Sequence, residues 1–490
     1  MFDSILIANR GEIACRVIRS ARKLGLRSIA VYHHEDRHAP HVRLADVAVE
    51  LLADVPTAAY LDVAQLLDVA RAQSAQCIHP GYGFLSENAK FAAAVENAGL
   101  AFVGPQSEVI RLMGDKIHSR EFAVKAGVPV SPSVKHDGDL DSFVEQASKI
   151  GFPLLIKAAA GGGGKGMSIV RSADELASRA RTAMGEAERY FADGRVYAER
   201  YIERPRHIEV QVMGDGEGNV VHLFERECSV QRRFQKIIEE SPAPNMPVGL
   251  RDKICKAAVE LAASAKYRNA GTVEFILAPD GEFYFLEMNT RLQVEHPVTE
   301  MVCGVDLVEA QLHVAAGLGL PWQQSEIRQN GHAIECRICC EEPEHDFRPA
   351  TGVAQLLRVP TGASVRFDGG IQQGQAITAA FDSMVGKLIC HGESRAAAVD
   401  GIVQALHDFV LLGVSNNIDY LGAVLRHPAF RAGLLHTGFI TEHAADLAAT
   451  PLDDTDRAAV LIAAALGVSD FRRLVYATPE PYASIGAWRN

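Results

Sequence analysis

The sequence predicts an α/β protein of several domains, beginning with a doubly wound parallel sheet and ending in antiparallel strands. Three observations lead there. Short apolar runs alternate with amphipathic helical stretches over residues 1–114. Two strand-like segments flank a glycine turn near residue 160, and beyond residue 205 alternating strands are joined by tight-turn sequences. The length of 490 residues exceeds one hydrophobic core and, at roughly 150 residues per domain, suggests about three.

Ile5 to Ala8 is a short apolar run and reads as a buried strand. Asn9-Arg10-Gly11-Glu12 turns into a helix with Ile13, Val17, Ala21 and Leu24 on one face, and Gly25 as its C-cap. Strands at Ser28–Tyr32, Cys77–His79 and Ala101–Val103 alternate with helices at Tyr60–Ala72 and Ala89–Ala98. That order implies parallel pairing. The unit closes near Met113, which gives a first domain at 1–114.

A second domain, 115–204, carries strands at Pro153–Lys157 and Met167–Val170 around Ala160-Gly161-Gly162-Gly163-Gly164-Lys165-Gly166. Strand, glycine turn, strand suggests a hairpin lid; a P-loop would lead into a helix. The third, 205–445, holds strand pairs His207–Met213 with Val220–Glu225 and Gly271–Leu277 with Glu282–Met288. Their connections, Asp215-Gly216-Glu217-Gly218 and Pro279-Asp280-Gly281, are hairpin signals. Residues 446–490 read as a helical extension. No repeat or low-complexity tract occurs.

Composition narrows the function. Apolar residues make up 48% of the chain, enough for ordinary cores. The net charge of −12 argues against a general nucleic-acid or anionic-membrane surface, so an anionic substrate needs a local basic pocket. The longest apolar run, Ala458–Val468, is short of the roughly 20 residues of a membrane span and reads as a buried helix. The N-terminus runs straight into a strand without a signal-like core, which points to the cytoplasm. Of nine cysteines, Cys336, Cys339 and Cys340 cluster without a second group at zinc spacing; reduced, mostly buried thiols are expected.

Several residues could carry chemistry. Consecutive glycines at 161–164 let backbone N–H groups approach an anion, with Lys157 and Lys165 supplying charge; a flexible surface loop would look the same. Glu274 and Glu287 sit on adjacent predicted strands, with Asn289 close by, a hard-ligand set suited to Mg²⁺ or Mn²⁺. Their apolar neighbours make solvated surface acids the poorer reading. In Glu287 to Pro297, Arg291 could hold a small anion and Glu295 could act as a base, although a salt-bridged loop has similar spacing. Gln231 to Glu240, taken alone, reads as a solvated amphipathic helix, and Arg337 lies in a strand where burial demands an anionic partner.

Together these residues resemble the biotin carboxylase family over about residues 1–440. The matching segments are ANRGEIACRVIR, HPGYGFLSEN, MGDK, AAAGGGGKGM, RPRHIEVQV, ERECSVQRRFQK, GTVEF, FLEMNTRLQVEHPVTE, GHAIECRI and FDSMVGKLI. The resemblance implies an ATP-grasp fold: an N-terminal domain, a mobile lid and a C-terminal antiparallel-sheet domain, with ATP between the last two. It implies an ATP-dependent biotin carboxylase that uses bicarbonate, Mg²⁺ or Mn²⁺, and biotin on a carrier. Lys116 and Lys157 match phosphate-contacting lysines, and the turn bearing Gly162, Gly163, Gly164, Lys165 and Gly166 belongs to the same nucleotide site. Glu199 and Ile202 match adenine-side positions, with Arg200 between them where the family has lysine. His207 and Gln231 match nucleotide contacts, and Glu274, Glu287 and Asn289 the metal ligands. Lys236, Arg291, Gln293 and Val294 match the bicarbonate pocket. Glu295 matches the general base, and Arg337 the group that stabilises biotin as its enolate. Phe234 departs from the family's histidine.

The tail, HPAFRAGLLHTGFI and onward, resembles the α subunits of 3-methylcrotonyl-CoA and geranyl-CoA carboxylases. That resemblance implies two partners, a biotin carboxyl carrier domain and a carboxyltransferase β subunit. No Ala-Met-Lys-Met motif occurs, so the carrier is expected on another chain or in a longer parent. Arg16, Arg19 and Arg366 resemble dimer-interface positions, although Lys23 stands where an acid is common; an oligomer is expected. Acetyl-, propionyl-, pyruvate or urea carboxylase are alternative parents, and a non-catalytic ATP-binding relative is the alternative class. A dinucleotide oxidoreductase is excluded because no GxGxxG follows the first strand.

Overall fold

The computed structural model describes residues 1–159, 167–191, 193–448 and 453–468. Residues Met1–Leu447 form one compact unit. Its first layer is a parallel sheet of β1 (Ser4–Ile7), β2 (Arg27–Tyr32), β3 (Val47–Glu50), β4 (Cys77–His79) and β5 (Ala101–Phe102) in the order β3-β2-β1-β4-β5. The apolar run at the start works by alternation. Ile5 and Ile7 pack with helix α1 (Gly11–Lys23), while Leu6 and Ala8 pack on the opposite face with Leu66 and Phe91. Both faces are therefore covered, as a doubly wound sheet requires. Gly25 follows the helix at φ +75°, a left-handed position that glycine occupies without a Cβ clash. The helix expected at Tyr60–Ala72 is shorter, Val63–Ala72, because Asp62 caps it by accepting from Gln65 N.

A four-stranded sheet follows, with β6 (Ser133–Lys135), β7 (Leu154–Ala158), β8 (Met167–Val170) and β9 (Val196–Arg200) in the order β6-β9-β7-β8. Strands β7 and β8 are antiparallel neighbours, as the glycine-turn reading expects. The turn itself, including Gly162, Gly163, Gly164, Lys165 and Gly166, lies outside the described residues. Helices Leu140–Ser148 and Ala173–Phe191 close a small core against this sheet through Phe143, Leu176 and Ala180.

The third layer is an eight-stranded antiparallel sheet of β10 (Arg206–Asp215), β11 (Val220–Arg232), β12 (Gln235–Ser241), β13 (Arg268–Leu277), β14 (Phe283–Asn289), β15 (His332–Cys339), β16 (Val365–Gly369) and β17 (Met384–Gly392). Its order is β14-β13-β10-β11-β12-β15-β17-β16. Gln231–Glu240, which reads as a helix in isolation, is instead the hairpin between β11 and β12. Its charged residues enter a sheet because their partners are built into neighbouring strands.

Helix α1 is tied by charge to helices His296–Cys303 and Leu307–Ala315 and to β16. Arg16 reaches Glu300 at 2.7 Å and Asp306 at 2.9 Å, Arg19 reaches Asp368 at 2.9 Å, and Lys23 reaches Glu309 at 2.6 Å. Arg366 closes the cluster on Glu300 and Asp368.

The second unit holds the helix Asp454–Val468. Its apolar run reads from sequence as buried, but Val460, Leu461 and Ile462 are 56%, 61% and 61% exposed. A helix that is apolar on every side cannot bury itself, whatever its composition. No helix among the described residues is long and apolar enough to cross a membrane. The cysteines are mostly buried, as expected, with Cys336 and Cys340 in the largest apolar core.

Candidate active site

The site is built on one face of the large sheet. Register places Glu209 of β10 opposite Glu274 of β13, and Glu274 opposite Glu287 of β14. Three carboxylates thus lie side by side across adjacent strands, an arrangement that repels unless cations are supplied. Lys236 supplies one: its Nζ donates to Glu209 at 2.5 Å, Glu274 at 2.8 Å and Glu295 at 2.6 Å. Arg226, fully buried, supplies another, donating from Nε to Glu209 at 2.5 Å and from its terminal nitrogens to Gln211, Thr299 and Thr272.

The protonation states follow from these contacts. Burial alone would raise Glu209, but Arg226 and Lys236 outweigh it and hold its carboxyl down at about 2. Burial also opposes ionisation of Glu274, and Lys236 and His207 override it, keeping this carboxyl well below the usual range. Burial would lower Lys236, but Glu209, Glu274 and Glu295 hold it well above an ordinary lysine. Glu295 is likewise depressed: Lys236 and Arg337 overcome its desolvation and the repulsion of Glu209.

His207 is oriented from both sides. Gln231 Nε2 donates to its Nδ1 at 2.8 Å, which leaves the ring proton on Nε2, 3.0 Å from Glu274 Oε2. That second contact has ion-pair distance without hydrogen-bond alignment. Asn289 Nδ2 donates to Glu274 at 2.8 Å and Gln293 Nε2 at 3.3 Å. Arg291 donates to Glu87 at 2.9 Å, Gln293 at 2.9 Å and Asn289 at 3.2 Å. Arg337 donates from Nε to Glu239 at 2.6 Å and from NH2 to Glu295 at 3.0 Å. Val294 enters through its carbonyl, which accepts from the buried Lys387 at 2.6 Å.

Two further groups stand apart from this network. In the four-stranded sheet, Lys157 lies 2.5 Å from Glu199, whose other oxygen takes Arg120 and Ser131 at 2.8 Å each. Lys116, at the start of helix Lys116–Lys125, lies 3.7 Å from Glu287. Ile202 is half-buried just beyond β9. The sequence therefore located most of the constellation but missed Glu87, Arg120, Glu209, Arg226, Glu239 and Lys387. For Glu209 the signal was present: His207, Glu209 and Gln211 share one face of β10, alternating with Ile208, Val210 and Val212.

A metal fits beside this network. Glu274 and Glu287 face each other across two strands, with the Asn289 amide next to them, and all offer hard oxygen donors of the kind Mg²⁺ and Mn²⁺ take. The cluster of His427, His443 and Asp446 does not fit one. Nδ1 of His427 accepts from Ala429 N, so its ring proton lies on the Nε2 that faces Asp446.

Phe234 sits at the tip of the hairpin between β11 and β12, 59% exposed. Arg233 and Phe234 both have positive φ, 48° and 65°, as in the tight turns that prefer Asn-Gly. The ring is not core, so Phe234→His is expected to leave the thermal midpoint unmoved. Any gain appears in ATP KM or turnover and reaches at most about tenfold, the value of one added hydrogen bond. Thermal denaturation with steady-state kinetics checks this; a drop in the midpoint contradicts it.

Comparison with known proteins places this geometry. Residues 1–110 match the biotin carboxylase N-terminal domain, 115–323 the ATP-binding domain of the carbamoyl-phosphate synthase L chain, and 335–442 the biotin carboxylase C-terminal domain. A pyruvate carboxylase subunit of Methanothermobacter thermautotrophicus is 48% identical over 444 residues, covering 90% of each chain. The chain belongs to the biotin carboxylase family. The biotin carboxylase domain of Hydrogenobacter thermophilus 2-oxoglutarate carboxylase, solved with MgADP, ADP and bicarbonate, superimposes at TM-score 0.89. It is 42% identical and covers 92% of this chain and 100% of its own. The mouse mitochondrial methylcrotonoyl-CoA carboxylase α subunit is 47% identical over 445 residues, and this biotin carboxylase family member spans 62% of its length.

Proposed function

We propose that this protein is an ATP-dependent biotin carboxylase that carboxylates biotin on a carrier, through carboxyphosphate, as the first half-reaction of an acyl-CoA carboxylase. The observation that carries the reading is the convergence of Lys236 and Arg337 on one buried carboxylate, Glu295, beside the facing pair Glu274 and Glu287. A base, an anion-binding cation and a metal-ligating pair within one network suit deprotonation of bicarbonate next to a nucleotide phosphate.

Residues 1–114 and 205–445 form the frame in this reading, 115–204 the lid, and 446–490 an extension. Lys116, Lys157, His207, Gln231, Glu199 and Ile202 bind the nucleotide, with the glycine turn on its phosphates. Glu274, Glu287 and Asn289 hold Mg²⁺ or Mn²⁺, which when bound offsets phosphate charge. Arg291, Lys236, Gln293 and Val294 seat bicarbonate. In the resting site Glu295 is a weak base because two cations hold it ionised. An anion on Lys236 draws one cation away, and the proton affinity of Glu295 rises. Glu295 then takes the bicarbonate proton while the bicarbonate oxygen attacks the γ-phosphate and ADP leaves. Carboxyphosphate breaks to CO₂ and phosphate, phosphate takes the ureido N–H proton of biotin, Arg337 stabilises the oxyanion that develops, and the freed nitrogen bonds to the CO₂ carbon to give carboxybiotin.

Similarity to methylcrotonoyl-CoA carboxylase α subunits over most of the chain supports an acyl-CoA carboxylase parent of the 3-methylcrotonyl-CoA or geranyl-CoA type. A biotin carboxyl carrier domain, a carboxyltransferase β subunit, an oligomeric assembly and a cytoplasmic site complete the reading. The test is phosphate release from MgATP. Release is expected to require bicarbonate, and free biotin is expected to be carboxylated. A biotinylated carrier should outperform free biotin at equal concentration, because tethering raises effective concentration. Phosphate release indifferent to bicarbonate would overturn the proposal in favour of a non-catalytic relative.

A further inference from the structure

Arg337 is held by two carboxylates that differ in what the reaction asks of them. Glu295 receives one of its terminal nitrogens and, in the reading above, becomes neutral during turnover. Glu239 is not consumed in any step. Its side chain is fully buried on β12, directly opposite Glu335 of β15 and therefore one pleat from Arg337. Both Nε and NH2 of Arg337 lie 2.6 Å from a single oxygen, Oε1 of Glu239. The other oxygen, Oε2, is buried with no hydrogen-bond partner among the described residues. Arg337 NH1 likewise makes no hydrogen bond among the described residues, and the arginine side chain is 18% exposed while both its acids are sealed. On the side of Glu239 the guanidinium thus rests on one oxygen, with a bare acceptor oxygen behind it.

Resting on the biotin carboxylase reading, we propose that Glu239 is the positioning residue for Arg337, a pivot that keeps the guanidinium aimed at biotin's ureido oxygen when Glu295 takes up a proton and releases it. The contact to Glu295 is charge-assisted only while Glu295 is ionised, and a protonated Glu295 holds an arginine far less strongly. Something else must then keep a long, flexible side chain in place, and Glu239 is the only other carboxylate within hydrogen-bond reach among the described residues. The free Oε2 lets the fork turn without leaving its anchor.

The surroundings of Glu239 give the pivot a pH dependence. Facing it are Arg337, Glu335 and Cys336 of β15, Lys236 of its own strand, Cys228 of β11, and Glu295 at the start of helix His296–Cys303. Burial, reinforced by Glu295, pushes its carboxyl up to about 7 against the pull of Arg337 and Lys236. Below that pH Glu239 takes a proton and its hold on Arg337 weakens, so the biotin step fails before ATP cleavage does.

The experiment uses the full chain with MgATP and fixed bicarbonate. It measures carboxybiotin formed and phosphate released, with and without biotin, from pH 6 to 9. Glu239→Gln is expected to lower biotin carboxylation roughly tenfold or more, and biotin-free, bicarbonate-dependent ATP cleavage by clearly less. It should also abolish the acidic limb near neutrality in the carboxybiotin-to-phosphate ratio. Glu239→Asp keeps the charge one methylene short and should recover part of the loss; it carries the same test should the glutamine variant not fold. Equal losses in both reactions, or a wild-type ratio and acidic limb in the variant, overturn the proposal. If wild-type protein releases no phosphate in response to bicarbonate, the biotin carboxylase reading falls, and the role of Glu239 with it.

Discussion

Glu295→Gln is expected to lower bicarbonate-dependent phosphate release and biotin carboxylation by roughly 10²-fold or more while ATP still binds. The amide keeps the size of the side chain, and its single oxygen can still accept from Lys236 or from Arg337, though not from both, because they reach different oxygens of Glu295. It cannot take a proton from bicarbonate. Because Glu295 lies between Lys236 and Arg337, to which the proposed function gives bicarbonate and biotin, both steps of that proposal pass through it, and kcat should fall without a matching rise in ATP KM. Steady-state phosphate release combined with equilibrium ATP binding checks this. A variant within tenfold of wild type would remove Glu295 from the chemistry.

The second large effect is on stability. Arg226→Met should cost about 3–5 kcal/mol, the range found when one partner of a buried ion pair is removed. Arg226 is sealed from solvent and donates to Glu209, Gln211, Thr272 and Thr299. Removing it leaves Glu209 charged on Lys236 alone and strands the acceptors of Gln211, Thr272 and Thr299. Glu209 is a depressed carboxyl, so the stability it contributes is present above its unfolded value of about 4.3 and lost as pH falls toward about 2. The gap between wild type and variant should therefore be full at pH 7 and shrink below about pH 4. Urea denaturation at the two pH values measures it. A loss under 1 kcal/mol at pH 7 would mean the pair is solvated in the folded protein.

The residues that are hardest to read from sequence are the buried charges that support the site. In the first layer, polarity and burial agree, and Ile5, Leu6, Val17 and Phe91 announce their faces by period alone. The antiparallel pairing of β7 with β8 is legible from the strand-like segments that flank the glycines. In the large sheet the agreement breaks down. Glu225, Arg226, Glu227, Glu239 and Glu240 are all 0–1% exposed, although charged residues in a row normally mark a solvated face. Gln231–Glu240 therefore looks like a surface helix, and the full length of β11, to Arg232, is invisible in the pattern. Arg226 is buried against Glu209 on the neighbouring strand, whereas Glu239 meets Arg337, and Glu240 meets His332 and Arg395, across much longer stretches of sequence. Local pattern cannot register a partner about a hundred residues away. The family motifs mark Lys236, Glu295 and Arg337, but the acids and arginines around them appear only once strands are placed side by side.

The ion cluster beneath α1 bears on how the protein is made. Arg16 is synthesised near the beginning of the chain, yet its partners Glu300 and Asp306 are nearly three hundred residues downstream, and Asp368, which Arg19 needs, is later still. A nascent chain that has exposed only the parallel sheet carries α1 with an arginine that cannot yet be buried. The first layer can collapse around Ile5 to Ala8, but it cannot dock. Burial of Arg16 must wait until Glu300 and Asp306 have left the ribosome. Fragments that end soon after residue 114 should accordingly be sticky and poorly expressed, even though they contain every strand of their own sheet.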